Sequence, residues 1–182
     1  LFGPPGPIAT QLADVLRTAY LGQPTIGRAT QYLVNELFGR FGLVVLDPDD
    51  ADLKRTFIPY MEDDLLRSVA YGHASRQTDA LAAAGYKTQA YPRAINLFYL
   101  SHNLRERIEH RNGRWEVLNT NISFSEAELL TELKEHPERF SPNVILRGLF
   151  QSVILPDVAF IGGGAEVAYW LQLGSLFTHY GV

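Results

Sequence analysis

FSPNVILRGLFQSVILPDVAFIGGGAEVAYW, residues Phe140 to Trp170, is the stretch on which the fold is read. Ser141-Pro142 has the form of a helix start, with serine as N-cap and proline at the first helical position, where its missing N–H costs nothing. Val144, Ile145, Leu149 and Val153 then fall on one helical face, and Pro156 ends the run. Val158, Phe160 and Ile161 read as a short apolar strand. Gly162-Gly163-Gly164 reads as a turn using backbone angles closed to other residues, and Ala165 to Leu176 as a second helix. A strand passing through glycines into a helix sets bare N–H groups at a positive helix end, which attracts phosphate or carboxylate. The dinucleotide fingerprint fails here: with Gly162 first and Gly164 second, Val167 fills the third glycine's place. Two readings stand, a turn that packs a helix on a sheet and a seat for an anionic ligand, and packing is the plainer one.

Upstream, Pro4 to Pro7 is turn-like. Ile8, Leu12, Val15, Leu16 and Ala19 then mark a helix to about Gly22. A second helix, with Thr25 as cap, turns Ala29, Leu33, Leu37 and Phe38 inward. Leu43-Val44-Val45-Leu46 follows as an unbroken apolar run, expected to be a strand buried on both faces of a parallel sheet. Asp47, Asp49, Asp50 and Asp52 come next. Magnesium coordination is conceivable for such a group, but capping of the following helix by Asp49 or Asp50 is the commoner use.

That helix runs from about Ala51, past Pro59, through Leu65, Val69 and Ala70, with Glu62-Asp63-Asp64 as a solvated face. Helix resumes from Ala80 to Gly85. Tyr86 to Tyr91 and Asn96 to Leu100 read as strands. Arg105 to Glu109 and Arg114 to Leu118 flank Asn112-Gly113, a strong hairpin signal. Arg105, Arg107, Arg111 and Arg114 crowd this hairpin, but Glu106, Glu109 and Glu116 interleave, which favours a mixed-charge ribbon over an anion patch. Ser125-Glu126-Ala127-Glu128 fits a capping box.

Composition narrows the classes. A net charge of −4 argues against nucleic-acid binding, and zero cysteines remove disulfides, thiolate zinc sites and a cysteine nucleophile. His73, His102, His110, His136 and His179 lack metal spacing, so no metal site is expected. There is no signal peptide or membrane span, so a soluble, cytoplasmic protein is expected. The missing initiator methionine points to a piece of a longer protein.

The run from Pro137 to Trp170, with FGRFGLVVLDPDD (Phe38 to Asp50), Gly85-Tyr86 and NLFY (Asn96 to Tyr99) in the same order, resembles the bacillithiol-biosynthesis cysteine-adding enzymes, the cysteine ligases. Gly148 and Ala165 depart from that pattern, where the family has proline and glycine. The resemblance implies an α/β fold, an internal fragment of a Rossmann-like core with a helical and small antiparallel β-hairpin connecting region. Residues 1–155 would be the connecting region and 156–182 a strand-turn-helix of the core. It implies joining cysteine to glucosaminyl-malate, with ATP or ADP as possible cofactor and a parent that dimerises through a coiled coil absent here. Carried over by position, Gly162, Gly163, Gly164, Glu166 and Tyr169 would contact substrate, and Asn143 and Arg147 would reach an anionic group unless Arg147 pairs with Asp157. Catalytic residues are not identified, and the fragment is expected to be inactive alone. The rival readings are a non-catalytic nucleotide- or acidic-metabolite-binding module and a connecting or oligomerisation module.

Overall fold

The computed structural model describes residues 6–155 and 157–182, so the expectations on Pro4, Pro5 and Pro156 lie outside the described residues. The chain divides into two compact units, Leu1–Pro48 and Asp49–Val182.

In the first unit, α1 (Pro7–Gly22) begins on a proline and α2 (Ile26–Phe38) is capped by Thr25, whose Oγ1 accepts from the Arg28 N–H at 3.2 Å. Ala19 and Ala29 are buried, but Leu37 and Phe38 are exposed, against the inward placement their spacing suggests. The described residues of this unit form no strand or third α-helix to cover those side chains. Leu43 to Leu46 is not a strand, and Val44 is 68% exposed. A strand needs a ladder partner, and no described residue of this unit is in a strand; the Gln31 side-chain amide instead donates to the Val45 carbonyl at 3.1 Å.

The second unit begins with α3 (Ala51–Arg67), capped by Asp50, whose carboxylate accepts from the Asp52 and Leu53 N–H groups at 2.9 and 3.2 Å. Asp50 thus takes the capping role its position suggests. The helix continues through Pro59 and breaks at Ser68, left-handed at φ 52°, before α4 (Val69–Ala83). Five antiparallel strands follow in the order β4-β3-β2-β1-β5: β1 (Leu97–Ser101), β2 (Leu104–Arg111), β3 (Arg114–Val117), β4 (Ser123–Phe124) and β5 (Phe140–Pro142). Asn112 and Gly113 both have positive φ, 51° and 75°, as a two-residue hairpin turn demands. Helix α5 (Glu126–Glu135) opens on the expected capping box of Ser125 and Glu128.

Leu97, Tyr99, Ile108, Trp115 and Val117 put one sheet face on the helices, against Phe57, Met61 and Leu65 of α3 and Leu129 and Leu133 of α5. Each fully buried leucine or phenylalanine contributes about 1.5–3 kcal/mol. Helices α6 (Val144–Ile154), α7 (Gly164–Leu171) and α8 (Gly174–Tyr180) complete the unit. Helix α6 starts two residues later than Ser141-Pro142 suggests. Pro142 closes β5 opposite Leu97, and the cap is Asn143, whose Oδ1 accepts from the Ile145 N–H at 2.8 Å. Ile145 and Leu149 are buried, whereas Val144 is exposed.

Two further strands do not form. Tyr86 to Tyr91 is coil because a side chain, Gln172, makes the hydrogen bonds a neighbouring strand would make. Val158 to Ile161 is also coil, with both terminal residues fully exposed and no strand alongside among the described residues. The helix expected over Ala165 to Leu176 is broken at Gln172-Leu173 into α7 and α8.

Candidate functional site

A cavity of about 810 Å³ lies on the sheet face turned away from the core. Arg105 and Arg107 alternate along β2, so both project to that face, and Phe98 of β1 stands opposite Arg107. Arg93, from the segment before β1, and Asn143 and Arg147, one turn apart at the start of α6, close the wall. The Arg105 guanidinium lies 3.7 Å from the Phe98 ring centroid and that of Arg107 5.9 Å, a stacked arrangement suited to arginine. Asp49 also lines the cavity; it is held by Lys54, buried to 1% exposure, whose Nζ donates to Asp49 Oδ1 at 2.7 Å and to the Glu138 carbonyl at 2.9 Å.

Among the described residues none of the four cavity arginines enters an ion pair, whereas Arg111 pairs with Glu109 and Arg114 with Glu128. The mixed-charge ribbon expected for the hairpin is therefore right for its tip and not for its base. Four guanidinium groups around one concavity raise the local concentration of anions, and each presents a fork that matches a carboxylate or phosphate.

Buried polar groups hold this wall in place. Asn96, fully buried in the turn before β1, satisfies its whole side-chain amide. Its Oδ1 accepts from the Arg93 N–H and from Asn143 Nδ2, both at 3.1 Å, while its Nδ2 donates to the Arg93 carbonyl at 2.7 Å and to Asp64 Oδ1 at 3.1 Å. Asp64 Oδ2 accepts from the Asn96 N–H at 2.5 Å, and the Asn96 carbonyl accepts from the Asn143 N–H at 2.9 Å. Asp64 is 1% exposed, so Glu62-Asp63-Asp64 is not the solvated face its composition suggests. Burial pushes its carboxyl up to about 7, against the opposing pull of the Asn96 hydrogen bonds. On the other side, Gln172 Oε1 accepts from the Gln89 and Ala90 N–H groups at 3.1 and 3.0 Å, and its Nε2 donates to the Ala90 carbonyl at 2.9 Å and Thr78 Oγ1 at 2.6 Å. Gln89 and Ala90 line the cavity.

Of the residues singled out in the sequence, the fold brings Asn143 and Arg147 together at this cavity, and the glycine turn does not line it. Asp157 accepts from Gln151 at 3.4 Å and is not paired with Arg147. Gly162, Gly163 and Gly164 all keep negative φ, so their role is not an unusual backbone angle. A Cβ on Gly162 would stand 2.6 Å from the Phe160 ring; close approach explains that glycine. The Glu166 carboxylate accepts from the Gly163 N–H at 2.9 Å and so occupies the anion position at the start of α7. Tyr169 is half-buried against the core, and Gly148 faces the Trp170 indole, 3.3 Å from where a Cβ would stand. Asp64, Asn96, Gln172 and Arg93 were not marked by any local pattern.

No helix among the described residues is long and apolar enough to cross a membrane. Residues 4–182 match the family described as bacillithiol biosynthesis BshC, N-terminal Rossmann-like domain. A protein of Flavobacterium johnsoniae is 47% identical over 169 residues, covering 93% of this chain and 32% of its own length. One of Cytophaga hutchinsonii is 46% identical over 91% of this chain and 32% of its own length, and one of Chlorobaculum tepidum 32% identical over 94% and 31%. All three bear the name "Putative cysteine ligase BshC". The chain spans about a third of the length of these relatives. It belongs to the bacillithiol biosynthesis BshC family, as a Rossmann-like α/β chain.

Proposed function

We propose that this chain is part of a ligase that joins the cysteine carboxyl to the amine of glucosaminyl-malate, the last step of bacillithiol assembly, and that the arginine-lined cavity holds the malate carboxylates. The observation that carries the reading is the set of four guanidinium groups without ion pairs among the described residues, around one concavity, in a chain of this family. A malyl group at neutral pH carries two carboxylates, which suits arginine forks from β2 and α6. Arg147 and Asn143 contact one carboxylate, and Arg105 and Arg107 the other. The glycine turn is assigned the opposite charge: Glu166, with Gly162, Gly163 and Gly164 beside it and Tyr169 one turn on, accepts from the amine or a sugar hydroxyl.

Amide formation makes a bond between the cysteine carboxyl carbon and the amine nitrogen, and one carboxyl oxygen must leave with an activating group. A nucleotide such as ATP is the activator the family resemblance implies. Glu166 already fills the start of α7, so that helix end does not fit a nucleotide phosphate.

The test is steady-state thiol formation by the full-length protein carrying Arg105→Met or Arg147→Met. Losing one arginine contact should raise KM for glucosaminyl-malate about 10–100-fold, with KM for cysteine unchanged. Unchanged KM values in both variants defeat the assignment. Retained binding of glucosaminyl-malate with no turnover by the complete wild-type protein favours a binding module instead.

A further inference from the structure

We infer that Asn96 and Asp64 are positioning residues of this anion cavity: Asp64 sets the orientation of the Asn96 amide, which in turn fixes the places from which Arg93, Asn143 and Arg147 reach the ligand. The inference rests on the cavity reading above and adds residues that touch no ligand.

Each link is a hydrogen bond in the fold. Both Arg93 backbone groups bond to the Asn96 side chain, so the segment carrying this arginine has one allowed path. Asn143 is bound twice, through its N–H to the Asn96 carbonyl and through its Nδ2 to Asn96 Oδ1, and its own Oδ1 caps α6. Arg147 follows one turn later, its N–H bonded to the Asn143 carbonyl at 2.9 Å. Three polar residues of the cavity, separated by up to 54 positions in the chain (147 − 93), thus depend on one buried amide. That amide has two acceptor and two donor contacts, all used, so an exchange of its oxygen and nitrogen would break all four. Asp64 decides the orientation, because it accepts only from the nitrogen side and from the Asn96 N–H.

No common substitute has this pattern. Aspartate at 96 loses both donors and faces Asp64 with a second carboxylate. Serine is too short to span Arg93, Asn143 and Asp64 together. Asparagine at 64 keeps one acceptor for the Asn96 N–H but lets the Asn96 amide compete between two orientations. The last change is the informative one, since it alters the relay while leaving size and burial nearly constant.

The experiment uses the full-length protein with Asp64→Asn, Asn96→Ser and Arg147→Met, each confirmed folded by circular dichroism. Equilibrium binding of glucosaminyl-malate and KM for both substrates are measured. Asn96→Ser keeps the backbone bonds to Asp64 and Asn143 while removing the side-chain amide, and residue 96 does not line the cavity, so this variant decides the question should Asp64→Asn fail to fold. We expect binding of glucosaminyl-malate to weaken about 5–20-fold in both relay variants, with kcat and KM for cysteine within about twofold of wild type. A general loss of stability would not divide the two substrates in this way. Weakened binding in Arg147→Met alone, with both relay variants like wild type, overturns the positioning role and leaves the cavity assignment intact. Wild-type binding in Arg147→Met overturns the cavity assignment itself, and the positioning role falls with it.

Discussion

Raising the pH from 5 to 8 should weaken the folded state through one carboxyl group, Asp64. Its pKa is raised from 3.8 to about 7 by burial. An acid held above its unfolded value binds more protons folded than unfolded between those two pH values. Its contribution to stability is therefore complete below pH 4 and is lost as pH climbs through 7. At 1.36 kcal/mol per pKa unit, the gap of roughly 3 units corresponds to about 4 kcal/mol in all. The unfolded carboxyl is already ionised at pH 5, so about 2 units of that gap are lost between pH 5 and 8, about 2–3 kcal/mol. Asp64→Asn removes the titration. It also sets the new amide against the Asn96 Nδ2 donor, at a pH-independent cost of about 1–3 kcal/mol.

Urea unfolding followed through the buried Trp115 at pH 5 and pH 8 reads both terms. The wild-type-minus-variant difference in stability should fall by about 2–3 kcal/mol between pH 5 and pH 8. His73, whose pKa is lowered by burial and by the neighbouring His179 and Arg76, loses stability in the opposite direction as pH falls. It is present in both proteins and cancels in their difference. A wild-type-minus-variant difference that stays constant within about 0.5 kcal/mol between the two pH values would refute the reasoning.

Two other perturbations follow from the same structure. Gln172→Ala leaves the Gln89 and Ala90 N–H groups without their acceptor, so the unit should lose about 2–4 kcal/mol in urea titration and bind glucosaminyl-malate more weakly; a variant as stable as wild type contradicts the clamp. Ser125→Ala opens the capping box of α5 far from the cavity, and should cost about 1 kcal/mol by thermal unfolding while leaving both KM values unchanged.

Local chemistry was readable in the residues, and long-range pairing was not. The Asn112-Gly113 turn, the Ser125–Glu128 box, the Thr25 cap and the ends of α1 and α2 depend on neighbours within four positions, and each formed where it was expected. Leu43 to Leu46 and Val158 to Ile161 have strand composition, but a ladder depends on a partner that composition does not name. Asp64 sits in an acidic triplet that reads as solvated because its partner Asn96 is 32 positions away. Asn143 and Arg147 were visible as a helical pair. Their meeting with Arg93, Arg105 and Arg107 arises from β2 and β5 flanking β1, a topology with no local signature.

The most direct test of the arginine cavity is calorimetric titration of the full-length protein with glucosaminyl-malate at two salt concentrations, for wild type and for Arg105→Met/Arg147→Met. The account predicts wild-type binding that weakens with salt, and loss of both the affinity and its salt dependence in the double variant. Equal affinity of the two proteins at both salt concentrations would contradict it.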